Sequence, residues 1–418
     1  MNLAARLEKS LSSKQLVLIR LIADEASHRG LTLYDVGGLP RDLLLDRLTR
    51  DLDLVVEGDA IPLARSLSRL HGGRVTTHPA FHTATWTPPP HLTRDTETPD
   101  TLDLISARSE TYAHPAALPT VKLGDINDDL RRRDFTVSAM AIRLDGEHFG
   151  ELLDPLGGQN DLERKLIRVL HPRSFLDDPT RIFRAVRYAG RLGFELAPDT
   201  KALVPSALAH VDKLSPERLR HELDLILAEE HPAPMLASLA ELGVLAAVKP
   251  PIPPFDSSRA NLLAKNPPAD FGLDADSLAL AYSLWFMDMP EDVASALAKR
   301  LDFTAALTKT ILSATRLTHD LPAWKPSKPS EWTERLDKHS PLAIYAVYLI
   351  QRKQQLADYL KTWRNIKPTL TGEDLKKFGL SPGPAYKRIL SSLRAAWLDG
   401  EVKNKRDEDK LLKNLIKK

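Results

Sequence analysis

Cysteine is absent from the 418 residues of this chain. Disulfides and thiolate metal ligands are therefore excluded, and any metal must be held by oxygen or imidazole ligands, which indicates a hard cation such as Mg²⁺. A long apolar run is also missing near the N-terminus, where residues 1–30 mix charges with apolar residues at helical spacing. We therefore expect no signal peptide and no membrane contact, and we predict a cytoplasmic protein.

Charge is unevenly distributed along the chain. The formal net charge is only +2, but residues 351–418 hold 17 Lys and Arg against 8 Asp and Glu. This basic end predicts contact with a polyanion, although a solvated helical tail has the same composition.

The sequence pattern changes at about residue 158. Before it, β-rich runs alternate with amphipathic stretches, and after it the strand signals vanish and apolar residues recur three and four apart. The strand-like runs are Leu31–Val36, Leu52–Val56, Thr101–Ser106 and Met140–Leu144. Proline-rich interruptions at 250–254 and 322–329 divide the helical part. We predict an α+β head at 1–157, then all-α segments at 158–250, 251–330 and 331–418.

Two features near the start of the head carry chemistry. Gly37 and Gly38 join a strand-like run to an amphipathic stretch, and such a turn lets the backbone approach a phosphate closely. Asp51 and Asp53 alternate on the next strand-like run, so both carboxylates project from one face and can converge on divalent cations. Each feature alone is common, but their order and spacing favour phosphoryl transfer.

This arrangement, GGxxRD followed by RDLDLV, resembles the opening motif of the polymerase β-type nucleotidyltransferases of the class II tRNA-maturation group. The resemblance implies a polymerase β-like head with a small mixed sheet, followed by an all-α neck, body and tail. It also implies that Gly37 and Gly38 hold a nucleotide triphosphate, that Arg41 lies near its phosphates, and that Asp51 and Asp53 bind Mg²⁺.

Asp103 is a third acidic candidate, because the superfamily often adds a carboxylate from a later strand to orient the primer hydroxyl. The alternative is an aspartate that serves a turn or a helix cap.

Three arginines stand together in Asp129–Thr136, and guanidinium groups suit phosphates and ribose oxygens. The segment is similar to the RRDFT motif of the family, which implies that Arg132, Arg133 and Asp134 contact the sugar and phosphates of the nucleotide. The structural alternative is a salt-bridged helix start capped by Asp134.

Asp178 and Arg181 lie three residues apart at a predicted helix start, so their side chains share one face. The segment resembles the EDxxR motif of the family, although Asp177 stands where glutamate is common. The resemblance implies a protein template in which Asp178 and Arg181 hydrogen-bond the base edge of CTP or ATP. An acidic cap with an intrahelical ion pair is the alternative.

Together the motifs predict a CCA-adding enzyme that transfers CMP and AMP from CTP and ATP to the 3′ hydroxyl of tRNA and releases pyrophosphate. No protein partner is implied. The long polar segment from Ala107 to Asp129 resembles the loop of members that add A, so ATP incorporation is predicted, with complete CCA synthesis favoured over A addition alone. The sequence also leaves open a poly(A) polymerase, a member with a phosphohydrolase suggested by His319-Asp320, and a non-catalytic RNA-binding protein.

Overall fold

A computed structural model describes residues 1–47, 52–93, 100–111, 120–263, 266–274 and 276–416. These residues form two compact units. The first unit comprises Met1–Ser215 and Ser238–Ala247, and the second comprises Pro216–Ala237 and Val248–Lys418. The four-part division expected from the proline-rich interruptions stays a prediction.

All strands of the described residues lie in the first unit. They are β1 (Thr32–Val36), β2 (Asp53–Glu57), β3 (Arg74–His78), β4 (Thr83–Thr87), β5 (Leu102–Ser106), β6 (Arg108–Thr111), β7 (Thr120–Leu123), β8 (Ala141–Arg143), β9 (Leu152–Leu153), β10 (Leu166–Ile167) and β11 (Glu195–Leu196). Seven of them form one sheet in the order β3-β4-β5-β2-β1-β8-β9. Only β2 and β5 run parallel within this sheet, which is therefore mixed.

The helices continue through both units. Those that begin before residue 216 are α1 (Ala4–Ser10), α2 (Ser13–His28), α3 (Gly38–Leu44), α4 (Ala60–His71), α5 (Pro90–Thr93), α6 (Ile126–Arg131), α7 (Gly158–Glu163), α8 (Ser174–Asp177), α9 (Thr180–Leu192) and α10 (Pro198–Val211). The next are α11 (Pro216–Leu227), α12 (Pro232–Glu241), α13 (Val244–Ala247), α14 (Ala260–Leu263), α15 (Ser277–Phe286), α16 (Glu291–Arg300) and α17 (Ala305–Asp320). The last are α18 (Pro329–Leu336), α19 (Pro341–Gln351), α20 (Gln354–Lys361), α21 (Gly372–Lys377), α22 (Pro384–Leu398) and α23 (Lys405–Ile416).

The sheet is covered on both faces because its strands carry apolar side chains on both sides. One face packs against α6 in a cluster of Tyr34, Val36, Val55, Ala107, Ile126, Leu130 and Ala141. The alternate residues of the central strands, Leu33, Leu54 and Leu104, are also fully buried. Helices α2 and α4 pack on the sheet through β1, β4 and β5.

The predicted fold class, an α+β head followed by a helical part, is confirmed. The expected loss of strands after residue 158 holds except for β10 and β11, two-residue strands that pair in parallel. Strands this short have no alternating pattern to detect. Pro88–Pro90 does lie between two strands, but Pro90 begins the short helix α5. Within the described ranges, none of the helices combines the length and apolar composition needed to cross a membrane.

Candidate active site

The glycine turn lies between β1 and α3, as the sequence predicts. Gly37 has φ +89°, a value that L side chains rarely adopt, and its N–H donates to the Met140 carbonyl at 3.0 Å. A Cβ on Gly37 would lie 2.8 Å from Nη1 of Arg133. Glycine therefore satisfies the backbone angle and also leaves room for Arg133, so the structure brings these two predicted residues together.

Arg41 lies on α3, one turn beyond the glycines. Its Nε and Nη2 donate to the two carboxylate oxygens of Asp42 at 2.8 and 3.0 Å. A Cβ on Gly38 would stand 4.0 Å from Nη2 of Arg41, so the guanidinium lies beside the turn. The neighbouring aspartate of the motif orients this arginine.

Two candidate carboxylates stand side by side on parallel strands. Asp53 begins β2 and is in register with Asp103 of β5, so both side chains project from the same face of the sheet. Both residues are exposed, and Asp103 accepts a hydrogen bond from the Thr85 hydroxyl at 2.6 Å. Asp103 lies inside a strand, so the turn or cap alternative does not apply to it. Asp51, the second predicted ligand, lies outside the described residues.

Asp35 is an acidic residue of the site region that the motifs do not single out. It lies on β1 opposite Leu54 and is fully buried. Burial raises the pKa of its carboxyl well above the usual value, and the charge of Asp53 adds to this rise. The charge of Arg133 and the backbone amide of Asp53 oppose it. Its only sequence signal is a charged residue inside an otherwise apolar strand.

The arginine cluster is organised by a buried aspartate. Asp129 has no exposed surface, and its two carboxylate oxygens accept from Arg132 at 2.6 Å and Arg133 at 3.1 Å. Arg132 also bonds Glu110 of β6 at 3.2 Å. Because the buried carboxylate holds both guanidinium groups, their positions are fixed, and Arg133 is held beside the glycine turn.

The structural alternative holds in part, because the arginines are salt-bridged to Asp129, but Asp134 does not cap a helix start. Helix α6 begins with a reciprocal cap between Asp125 and Asp128, and Arg132 lies at its C-terminal end. Asp134 instead accepts two hydrogen bonds from Arg184 of α9, at 2.8 and 2.5 Å. Arg184 is not among the predicted site residues, although it lies one helical turn after Arg181 and faces the same side.

The predicted template pair lies at the N-terminal end of α9. One carboxylate oxygen of Asp178 accepts from the backbone N–H of Thr180 at 3.1 Å and from its hydroxyl at 2.7 Å. Arg181 is 5% exposed, and its guanidinium donates to the Ser174 hydroxyl at 2.8 Å and to the Arg132 carbonyl at 3.1 Å. The template candidate is thus hydrogen-bonded to the backbone of the arginine cluster.

The site therefore combines a glycine turn, neighbouring strand carboxylates and fixed arginines within the first unit, which is the arrangement of a nucleotidyltransferase. Two family models match the chain: the poly(A) polymerase head domain over residues 33–168, and the probable RNA and SrmB-binding site of polymerase A over residues 193–254.

Relatives that match nearly the whole of this chain identify the kind of nucleotidyltransferase. The chain is 34% identical to the A-adding tRNA nucleotidyltransferase of Halalkalibacterium halodurans, over 97% of this chain and 94% of that one. It is 31% identical to the A-adding enzyme of Geobacter sulfurreducens over 96% of this chain and 47% of that one. It is 29% identical to the CC-adding enzyme of the same organism over 94% of both chains. The chain belongs to the tRNA nucleotidyltransferase family.

Solved structures agree with this assignment. An apo CCA-adding enzyme matches with a TM-score of 0.82 and 28% identity, covering 100% of this chain and 99% of that one. A CCA-adding enzyme complexed with ATP matches with a TM-score of 0.81 and 27% identity, covering 100% and 98%. The Thermotoga maritima CCA-adding enzyme complexed with tRNA matches with a TM-score of 0.76 and 26% identity, covering 100% and 98%.

Proposed function

We propose that this enzyme adds AMP from ATP to the 3′ end of tRNA without a nucleic-acid template. The observation that carries this proposal is the convergence of Asp53, Asp103 and the Gly37 turn with the Arg132-Arg133 cluster. The carboxylates lie on one face of adjacent strands, and the arginines are held by Asp129 beside the turn. Oxygen ligands next to a phosphate-binding turn are what nucleotidyl transfer requires.

Different residues of the site contact different parts of the nucleotide. Gly37 and Gly38 receive the triphosphate, with Arg41 and Arg133 beside them to neutralise its charge. Arg132 and Asp134 face the sugar and phosphates. These assignments extend the sequence resemblance, and the contact between the Gly37 turn and Arg133 supports them.

Asp178 and Arg181 select the base through its hydrogen-bonding edge. A base that leaves a desolvated donor or acceptor unpaired is disfavoured strongly, so a fixed pair of side chains can discriminate among triphosphates. The burial of Arg181 and its bonds to Ser174 and Arg132 supply the rigidity that such reading needs.

The exposed carboxylates Asp53 and Asp103 fit a divalent cation, because they are hard oxygen donors on one face of the sheet. We assign the cation as Mg²⁺ and the ligands as Asp51 and Asp53, with Asp103 orienting the primer hydroxyl. When bound, Mg²⁺ supplies positive charge that stabilises the triphosphate and lowers the pKa of the attacking hydroxyl. The chain contributes the alignment of that hydroxyl with the α-phosphate.

The named relatives favour A addition alone over complete CCA synthesis, in contrast to the order expected from the sequence. Two relatives that each match at least 96% of this chain are A-adding enzymes, whereas the CC-adding enzyme that matches 94% of this chain is less identical. Complete CCA synthesis remains the second candidate because solved structures that match the whole of this chain are CCA-adding enzymes. Both candidates require ATP incorporation.

Three tRNA transcripts separate the candidates: one ending at the discriminator base, one ending in C and one ending in CC. Each is incubated with CTP, ATP or both, and the products are sized at single-nucleotide resolution. We expect one A added to the CC transcript and no C added to the remaining two. Synthesis of CCA on the shortest transcript would select the second candidate. Long A tails would indicate a poly(A) polymerase, and no incorporation would indicate an RNA-binding protein.

A further inference from the structure

The basic tail segment, residues 369–416, exposes one aromatic side chain. Phe378 is 46% exposed, whereas the apolar residues around it are packed. Helices α21, α22 and α23 form a separate small core. Its buried members are Leu370, Leu375, Ile389, Leu393 and Leu412. Phe378 does not belong to this core, so the segment folds without burying the ring.

The turn at the end of α21 places Phe378 on the solvent side of the segment. Phe378 is the C-terminal cap of α21, and the turn after it closes with a hydrogen bond from the Leu380 N–H to the Leu375 carbonyl at 3.3 Å. Gly379 adopts φ +82° inside this turn, which is the Schellman arrangement of a helix end. The Tyr386 hydroxyl then donates to the Leu380 carbonyl at 2.8 Å. Leu380 therefore takes the apolar position, and Phe378 is presented to solvent on a turn held at both ends.

Cations surround this turn in sequence and on the adjoining helix. Lys376 and Lys377 precede Phe378, and Lys387 and Arg388 lie on the first turns of α22. Lys377 pairs with Asp374 at 3.1 Å. In the part of the chain that the structure describes, the remaining three are exposed and have no acidic partner within ion-pair distance. The surface around Phe378 is thus complementary to a polyanion.

We propose that Phe378 stacks on an unpaired nucleobase of the tRNA substrate while the neighbouring cations contact its phosphates. This inference rests on the proposed function. An exposed aromatic ring among cations binds RNA because bases stack on the ring and lysines neutralise the backbone. Paired bases inside a stem have both faces covered by their neighbours, and we assign the partner of the ring to an unpaired base in a loop.

The test compares tRNA affinity of the full-length enzyme with that of Phe378→Ala, Phe378→Leu and Phe378→Trp. We expect the alanine and leucine variants to bind intact tRNA about tenfold more weakly, since removing a stacked ring has an effect of this order. The tryptophan variant should bind as tightly as the wild type. Phe81→Ala is the matched control, because Phe81 is 54% exposed on the turn between β3 and β4.

Two further measurements separate stacking from general damage. On an acceptor-stem duplex without loops, Phe378→Ala should bind like the wild type. The slope of log K against log salt should be unchanged in Phe378→Ala, but smaller by roughly two in a Lys376→Ala, Lys387→Ala double variant. Thermal unfolding checks that each variant folds.

The stacking proposal is overturned if Phe378→Ala binds intact tRNA as tightly as Phe81→Ala, or loses equal affinity for the duplex. It is also overturned if Phe378→Leu keeps wild-type affinity for tRNA, because an aliphatic side chain cannot stack on a base as a ring does. An apolar contact would then account for the affinity. In these cases the wild type still transfers AMP, and the proposed function stands. A wild type that neither binds tRNA nor transfers AMP overturns both.

Discussion

We expect the loss of Asp53 to lower the rate of AMP transfer more than a disturbance of Asp103 does. Asp53→Asn should lower the rate of AMP transfer by ~10³-fold or more, because a lost metal ligand removes several kcal/mol of transition-state stabilisation. Thr85→Val removes only the donor that orients Asp103, so it should cost less than about tenfold. Single-turnover rates with saturating tRNA measure both, and filter binding checks that tRNA affinity is retained. Equal rates for Asp53→Asn and the wild type would contradict the metal assignment.

The buried carboxyl of Asp35 should make the stability of the protein depend on pH. Because its pKa is raised in the folded state, the folded protein holds the proton more tightly than the unfolded chain. The free energy of unfolding therefore falls as pH rises above the unfolded pKa of an aspartate. Asp35→Asn removes this loss. It should change stability little near pH 4 and raise it increasingly between pH 4 and pH 8.

Denaturant unfolding at pH 4, 6 and 8 measures this trend, and Asp100→Asn serves as the control because Asp100 is exposed. A gain for Asp35→Asn that is the same at all three pH values would show that the charge of Asp35 is not its source.

Site residues that belong to a motif can be predicted from the sequence. Residues that hold those site residues in place cannot. The Gly37 turn and Arg133 follow from their motifs, and the structure brings them together. Asp129 is only a flanking acid of its motif in the sequence, yet it holds two arginines in the structure. Its role depends on burial, which arises from packing of α6 on the sheet and leaves no trace in a short motif.

At the scale of elements, one side chain at the start of α9, that of Asp178, has both a structural and a predicted functional role. Asp178 accepts hydrogen bonds from the backbone N–H and the hydroxyl of Thr180, and it is also predicted to hydrogen-bond the base. Asp178→Asn keeps an oxygen that can accept from Thr180 but places an amide donor at the base edge. We expect unchanged stability, within about 0.5 kcal/mol, and altered preference among the four triphosphates.

Incorporation of each triphosphate on tRNA ending in CC measures this preference. Asp178→Ala should in addition lose about 1 kcal/mol of stability with the hydrogen bonds from Thr180. Arg173→Ala is the control, because Arg173 is exposed and pairs with Asp177 on the neighbouring helix α8. Wild-type base preference in Asp178→Asn would remove this residue from the template.

Element prediction succeeds where length and periodicity are sufficient. The four strand-like runs correspond to β1, β2, β5 and β8 to within one residue at each end. The sequence predicts a single polar loop over Ala107–Asp129, yet the described ends of this stretch pair as β6 and β7. Residues 112–119, part of the segment that resembles the loop of A-adding members, lie outside the described residues. The polar composition of that stretch gives no alternating apolar signal, so its pairing could not be foreseen.

At the scale of the whole molecule, catalysis and RNA affinity are expected to depend on different parts of the chain. The candidate active site lies entirely in the first unit, from Gly37 to Arg184. The basic tail segment belongs to the second unit and has its own core. Glu408 is fully buried there and accepts hydrogen bonds from the backbone and hydroxyl of Thr369, which ties the two ends of the segment together.

Removing residues 368–418 should therefore weaken tRNA binding while the site for ATP is retained. The loss should be largest at low salt, since counterion release gives basic surfaces their strongest contribution there, and should shrink as salt approaches ~0.5 M. Equilibrium binding of tRNA and of ATP at several salt concentrations measures the two affinities separately, with thermal unfolding as the check on the shortened chain. A Glu408→Gln variant keeps every cation and leaves the hydroxyl and amide of Thr369 an acceptor, so it should bind tRNA almost as the wild type does. If the shortened chain kept full affinity for tRNA at low salt, the basic tail segment would have to be a solvated end, and the tRNA contact would have to lie elsewhere.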